Sequence, residues 1–142
     1  MKKYFTAMVS AFVIVGLVST AGTANAANAA TCGSGFEQVT TNRLHNASGV
    51  GPGQQKLYVK KVSAGWQWCL ITDRIGAAEG VPGYTFAGLQ RINSASFDAQ
   101  DSGNYSYFAG PIFLTTGKKA ISYRSDMRFN GATYVQAGNY SN

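Results

Sequence analysis

The stretch Lys56-Leu57-Tyr58-Val59-Lys60-Lys61-Val62, then Ser63-Ala64-Gly65, then Trp66-Gln67-Trp68-Cys69-Leu70-Ile71-Thr72 leaves this chain little choice of local structure. Apolar and polar residues alternate on both sides of a short turn, so each arm buries one face as a strand and the turn folds them into a hairpin. A hairpin cannot hold itself in water; it needs further strands beside it. The rest of the chain supplies them. Tyr84 to Ile92, Ile112 to Thr115, Ala120 to Tyr123 and Ala132 to Gln136 are short β-prone runs, and Asn130-Gly131 is a strong two-residue turn signal because both residues tolerate positive φ. Gly88 inside its run reads as a bulge. Six to eight short antiparallel strands at this spacing predict an all-β fold, a small single-domain sandwich or barrel, with no helix and no internal repeat. Composition agrees: 17 Gly, 8 Tyr and 8 Phe suit strands and tight turns.

Ahead of these runs, residues 1–26 carry Lys2-Lys3, an apolar stretch from about Ala7 to Val18, and Ala24-Asn25-Ala26. That order is the pattern of a secretory signal peptide, with Ala27-Asn28-Ala29 an overlapping small-residue site. The apolar stretch falls short of the roughly 20 residues a membrane span needs. The expected mature chain, residues 27–142, is one secreted β domain with no membrane span after signal cleavage. Its two cysteines, Cys32 and Cys69, both lie in the exported part, and in an oxidising compartment the simplest use for them is one disulfide. That bridge closes a loop of about 38 residues, worth about 4 kcal/mol in the chain-entropy picture.

The charge balance is mildly basic: 12 Lys and Arg against 6 Asp and Glu, a net +6 that falls when Lys2 and Lys3 are removed with the signal. In an exported protein such an excess suits anionic envelope polymers. No dense basic stripe is present, so no nucleic-acid partner is expected. Lys60-Lys61 and Lys118-Lys119 read as isolated pairs at strand edges and turns. Ser48-Gly49-Val50-Gly51-Pro52-Gly53 reads as an exposed loop; it lacks the Lys-Ser/Thr and the following helix of a phosphate-binding loop.

Catalytic chemistry finds little to work with. His45 is the sole histidine and sits in a polar segment, both cysteines are better used in the bridge, and Cys32-Gly33-Ser34-Gly35 is not a nucleophile elbow. The acids are Glu37, Asp73, Glu79, Asp98, Asp101 and Asp126. Asp98 and Asp101 fall in a segment that reads as a turn whose Asp side chains bind backbone amides. No enzyme activity, cofactor or metal is expected. Binding is better served. Trp66 and Trp68 lie two apart and share a face on a strand, as do Tyr105 and Tyr107. With either pair turned to water, flat rings make a sugar-stacking platform, with Gln67 or Asn104 beside them; turned inward, they are core. The Gly110-Pro111 step is expected to bend the chain at a sheet edge.

Asp101-Ser102-Gly103-Asn104-Tyr105, followed by Tyr107-Phe108-Ala109-Gly110-Pro111-Ile112, resembles the run that marks the spore-associated protein A family, small secreted proteins of actinomycetes. The likeness extends to Thr31 to Phe36, Leu57 to Val59, Cys69 and Gly131 to Val135. It implies a secreted, non-catalytic protein associated with the spore or cell surface; together with export and the lack of a catalytic constellation, it makes cell-wall or spore-envelope polymer the expected partner. Family members often carry a further Cys after the Gly-Lys turn; Ala120 stands here, and no late Cys follows. The leading expectation is therefore a surface-associated structural protein. The alternative is a carbohydrate or cell-wall binding module using Trp66, Trp68, Tyr105 and Tyr107, and a third class is an inhibitor or toxin aimed at another protein.

Overall fold

The expected hairpin forms and extends further than its alternation suggested. A computed structural model describes residues 30–142, so the expected signal peptide lies outside the described residues. Strand β2 (Gly49–Val62) pairs antiparallel with β3 (Gly65–Arg74) without interruption, setting Leu57 opposite Leu70 and Val59 opposite Trp68. Preceding them, β1 (Glu37–Asn46) turns back through Ala47-Ser48, where Asn46 Oδ1 accepts the Ser48 amide at 2.9 Å.

The glycine-rich segment expected to be an exposed loop is a correction. Gly49 to Gly53 opens β2, and Gly51 and Gly53 are buried. A Cβ on Gly51 would lie 2.2 Å from the Tyr134 ring, and one on Gly53 would lie 2.2 Å from Met127 sulfur. These glycines are strand residues whose missing side chains admit a ring and a thioether.

The remaining strands are β4 (Gly83–Gln90), β5 (Ala99–Tyr105), β6 (Phe108–Thr116), β7 (Ala120–Phe129) and β8 (Ala132–Ser141), with one 3-10 turn at Gly76–Ala78. All eight strands form one antiparallel sheet in the order β5-β4-β7-β8-β1-β2-β3-β6, curled into a nearly closed barrel. The fold is thus all-β, as expected. Asn130 and Gly131, both at positive φ, make the β7–β8 turn. The runs on either side of Thr116 to Lys119 do not pair with one another: β6 adds to β3, while β7 lies between β4 and β8. Gly88 carries no bulge, since β4 runs in unbroken register with both neighbours. The bulge falls at Gly110-Pro111, two residues set against Ile71 on the edge strand β6, where a missing amide donor is tolerated.

Inside the barrel, Leu57, Val59, Trp68, Leu70, Ala87, Leu89, Ile112, Leu114 and Ile121 make the main core. Each large side chain buried there contributes roughly 1.5–3 kcal/mol relative to exposure. A smaller cluster of Leu44, Ala78 and Met127 lies toward the far end, backed by Phe129 and Tyr134. Polar residues separate the two clusters along the strands. Gln55 donates to Ser125 Oγ at 2.9 Å, and the Thr72 hydroxyl donates to Phe86 O at 2.9 Å and meets Ser125 Oγ at 2.6 Å. Arg74 is 2% exposed, its guanidinium held by Ala78 O, Arg128 O and Thr85 Oγ1. Burial pulls its pKa below the ordinary arginine value.

The wall has two weak seams, each stitched by a side chain. Between β8 and β1 a single pair, His45 opposite Val135, carries the register. Beyond it, Gln55 Nε2 reaches across to Gln136 O at 3.1 Å. Between β5 and β6 no ladder pair forms; there Asp101 accepts the Gly110 amide at 2.7 Å and the Tyr105 hydroxyl at 2.6 Å. Residues 97–103 were expected as a turn, and all but the first two belong to strand β5, yet the expected role of the acids holds. Asp98 accepts the Arg91 amide at 2.7 Å, and Asp101 accepts that of Gly110. Cys32 and Cys69 are bridged, with Cα atoms 6.0 Å apart, which ties the N-terminal segment to the outer face of β3.

Candidate functional site

The four aromatic residues singled out in the sequence do not assemble into one platform. Trp68 is fully buried and points into the barrel, so it meets no ligand from solvent. Its indole N–H donates to Thr116 Oγ1 at 2.8 Å, and its ring meets Tyr140 edge-on at 5.4 Å between centroids. Tyr105 is also turned inward, its hydroxyl committed to Asp101. Tyr107 sits in the β5–β6 turn, where its carbonyl accepts the Arg74 amide at 2.7 Å. Trp66 and Arg74 mark opposite ends of β3, about 26 Å apart at 3.3 Å per residue. The tryptophan and tyrosine pairs therefore serve different ends of the barrel.

What does come together is basic. The β3–β6 register sets Trp66 opposite Thr116, which lays the β2–β3 turn beside the β6–β7 connection and brings Lys61 and Lys119 to the same ring, while Lys60 faces the outer wall. Gly65 permits this approach: at φ +130 it lies so close to β6 that a Cβ would stand 2.2 Å from Thr116 O. Lys61 Nζ lies 4.6 Å from the Trp66 ring centre, and Lys119 Nζ lies 4.7 Å from the same ring and 5.9 Å from Tyr140. Lys60 Nζ lies 4.5 Å over Phe36. Each such contact contributes about 0.5–1 kcal/mol at an exposed site. The two ammonium groups on Trp66 are thus within about 9 Å of one another, close to the Debye length of roughly 8 Å at physiological salt, so each feels the other's charge.

None of these lysines is in an ion pair: among the described residues the ion pairs are Lys56–Asp73, Arg91–Asp98 and Arg124–Asp126, and none involves Lys60, Lys61, Lys118 or Lys119. Trp68 supports the arrangement from beneath. Thr116 accepts from the buried indole and donates to Lys118 O at 2.6 Å, while the Asn142 amide donates to Lys119 O at 3.3 Å. The lysine-bearing connection is therefore hung from the core. The two Lys-Lys pairs lie at a strand end and a turn as expected, but they are not isolated, since Lys61 and Lys119 meet over Trp66 through a non-local β3–β6 pairing that leaves no mark in either segment.

The other chemically capable residues take structural positions. His45 is exposed on β1, and among the described residues no three His, Cys, Asp or Glu gather as metal ligands would. Asp73, Asp98 and Asp126 are bound to cations and Asp101 to the β5–β6 seam. Among the described residues no helix is long and apolar enough to cross a membrane. Comparison with family models, with curated proteins and with solved structures returns no match to this chain.

Proposed function

We propose that this protein is an extracellular attachment protein, without catalytic activity, that holds to anionic polymer of the cell or spore envelope through its lysine rim. The observation that carries the reading is the meeting of Lys61 and Lys119 over Trp66 at one end of the barrel, neither of them in an ion pair among the described residues. A signal-like N-terminus and the Cys32–Cys69 bridge favour an extracellular setting. Repeating phosphate or carboxylate groups would relieve the repulsion among the lysines and release counterions on binding.

The test is co-sedimentation of the oxidised protein with washed cell walls. Binding at about 50 mM salt should fall steeply by about 200 mM, as polyanion contacts do. The Lys61→Glu/Lys119→Glu variant should stay in the supernatant at both. Binding that survives high salt, or that the double variant retains, would overturn the reading.

A further inference from the structure

On the outer wall, strands β4, β7 and β8 share an open groove of about 480 Å3 that no role described so far uses. Its construction follows from register. Ile121, Ser125 and Met127 are buried, so the alternate residues of β7, Ser122, Arg124 and Asp126, face outward. Gln90 pairs with Ser122, and Ser122 with Asn139, which aligns three hydrogen-bonding side chains across three strands. At about 4.8 Å per strand this row is about 10 Å long. The next row is Gly88, Arg124 and Ala137, in which small residues flank one long side chain, leaving room for Phe97 on the Gly88 side and a trough on the Ala137 side. Phe97, from the β4–β5 loop, forms one wall. It packs edge-on against Phe86 with centroids 5.1 Å apart and occupies the space that a side chain at position 88 would need.

The chemistry of the lining is specific. Arg124 Nε is held by both oxygens of Asp126, at 2.9 and 3.1 Å, so the pair carries no net charge and the Arg124 terminal nitrogens remain available. Gln90 Nε2 is committed to Ser94 O, which leaves its carbonyl to accept. Ser122 and Asn139 make no side-chain hydrogen bond among the described residues. The groove thus offers donors and acceptors in a line, a charge-neutral Arg–Asp pair and the face of one aromatic ring. That set matches the hydroxyls and C–H faces of a neutral saccharide, in a volume ordinary for small-ligand sites. We infer that this groove binds a neutral disaccharide unit, with Arg124, Asn139 and Ser122 bonding its hydroxyls and Phe97 stacking on one ring. The site stands on its own residues. Its link to the lysine rim is proximity, since Ser122 is about 10 Å along β7 from Lys119.

Titrating the isotopically labelled, oxidised protein with chitobiose, cellobiose and mannobiose, each to about 20 mM, tests the inference by amide chemical shifts. At least one sugar should shift residues 88–91, 97, 122–124 and 137–139. Arg124→Ala and Asn139→Ala should each weaken that binding by about tenfold or more without changing the melting temperature. The Lys61→Glu/Lys119→Glu variant should bind the disaccharide as the unmodified protein does, so a failed wall-binding assay leaves this test intact. The inference is overturned by no shift with any of the three sugars, by shifts centred on Trp66, or by full binding in the Arg124 and Asn139 variants.

Discussion

Replacing Asp101 by alanine asks whether one carboxylate closes the wall between β5 and β6. Its oxygens accept the Gly110 amide at 2.7 Å and the Tyr105 hydroxyl at 2.6 Å, where no ladder pair joins the two strands. The bulge at Gly110-Pro111 breaks the β3–β6 ladder at this point, leaving the Gly110 amide to be met from β5. A hydrogen bond to a charged group contributes roughly 1.5–3 kcal/mol, and with Asp101 only half-buried the lower figure applies to each, so Asp101→Ala should cost about 3 kcal/mol. With a urea m-value of about 1.5 kcal/mol/M, the unfolding midpoint of the oxidised protein should fall by about 2 M with m unchanged. Asp101→Asn keeps one neutral acceptor and should lose about half as much. A double-mutant cycle with Tyr105→Phe should return a coupling of about 1 kcal/mol. The alkaline limb gives a second readout. The hydrogen bond to Asp101, more than burial or charge, raises the Tyr105 pKa above its ordinary 10.0. Its contribution is therefore whole below about pH 10 and is lost as pH rises through the raised folded value, a dependence that Asp101→Ala should flatten. An Asp101→Ala protein within about 0.5 kcal/mol of the original, with the Gly110 amide equally protected from exchange, would refute this account of the seam.

Removing the bridge by Cys32→Ser with Cys69→Ala should lower stability by about 4 kcal/mol in urea unfolding while the circular dichroism of the fold persists at low temperature. Gln55→Ala leaves Gln136 O without its side-chain donor and Ser125 with Thr72 alone, and should cost about 2 kcal/mol, with faster amide exchange along β1 and β8. Trp68→Phe removes the donor to Thr116 and should loosen the Lys118-Lys119 connection, weakening wall binding although no lysine is altered; unchanged sedimentation would count against the support assigned to that indole. Asp98 has its pKa lowered first by the Arg91 backbone amide and then by the Arg91 charge and side chain. Its contribution is thus present above the ordinary carboxylate value and lost as pH falls through the lowered one, so acid titration followed by amide exchange should show the 91–98 loop opening in that interval.

What the sequence disclosed was local. The β2–β3 hairpin rests on alternation around Ser63-Ala64, and the β7–β8 hairpin on Asn130-Gly131, so both were legible. The start of β2 was not, because Gly51, Pro52 and Gly53 carry every mark of a loop unless the Tyr134 and Met127 side chains that fill their space are known. Strand β5 was hidden for a related reason. Its inward residues are Ala99, Asp101, Gly103 and Tyr105, and an inward carboxylate makes sense only once the Gly110 amide of a strand not laddered to it is in place. The lysine rim and the saccharide groove both depend on pairings between distant segments, Trp66 with Thr116 and Gln90 with Ser122 and Asn139, which no single window of residues contains.

The positions of the two seams divide the barrel into equal valves, β5-β4-β7-β8 and β1-β2-β3-β6, four strands each, so the molecule is built like a hinged shell rather than a hoop. The disulfide does not cross the joint; Cys69 lies on β3, and Cys32 lies in the short segment leading into β1 of the same valve. The rim does cross it. Lys61 and Trp66 belong to one valve, Tyr140 to the other, and Lys119 to the connection that passes between them. A chain of negative charges laid over those lysines would lace the shell shut at its mouth, so attachment and mechanical endurance would rise together.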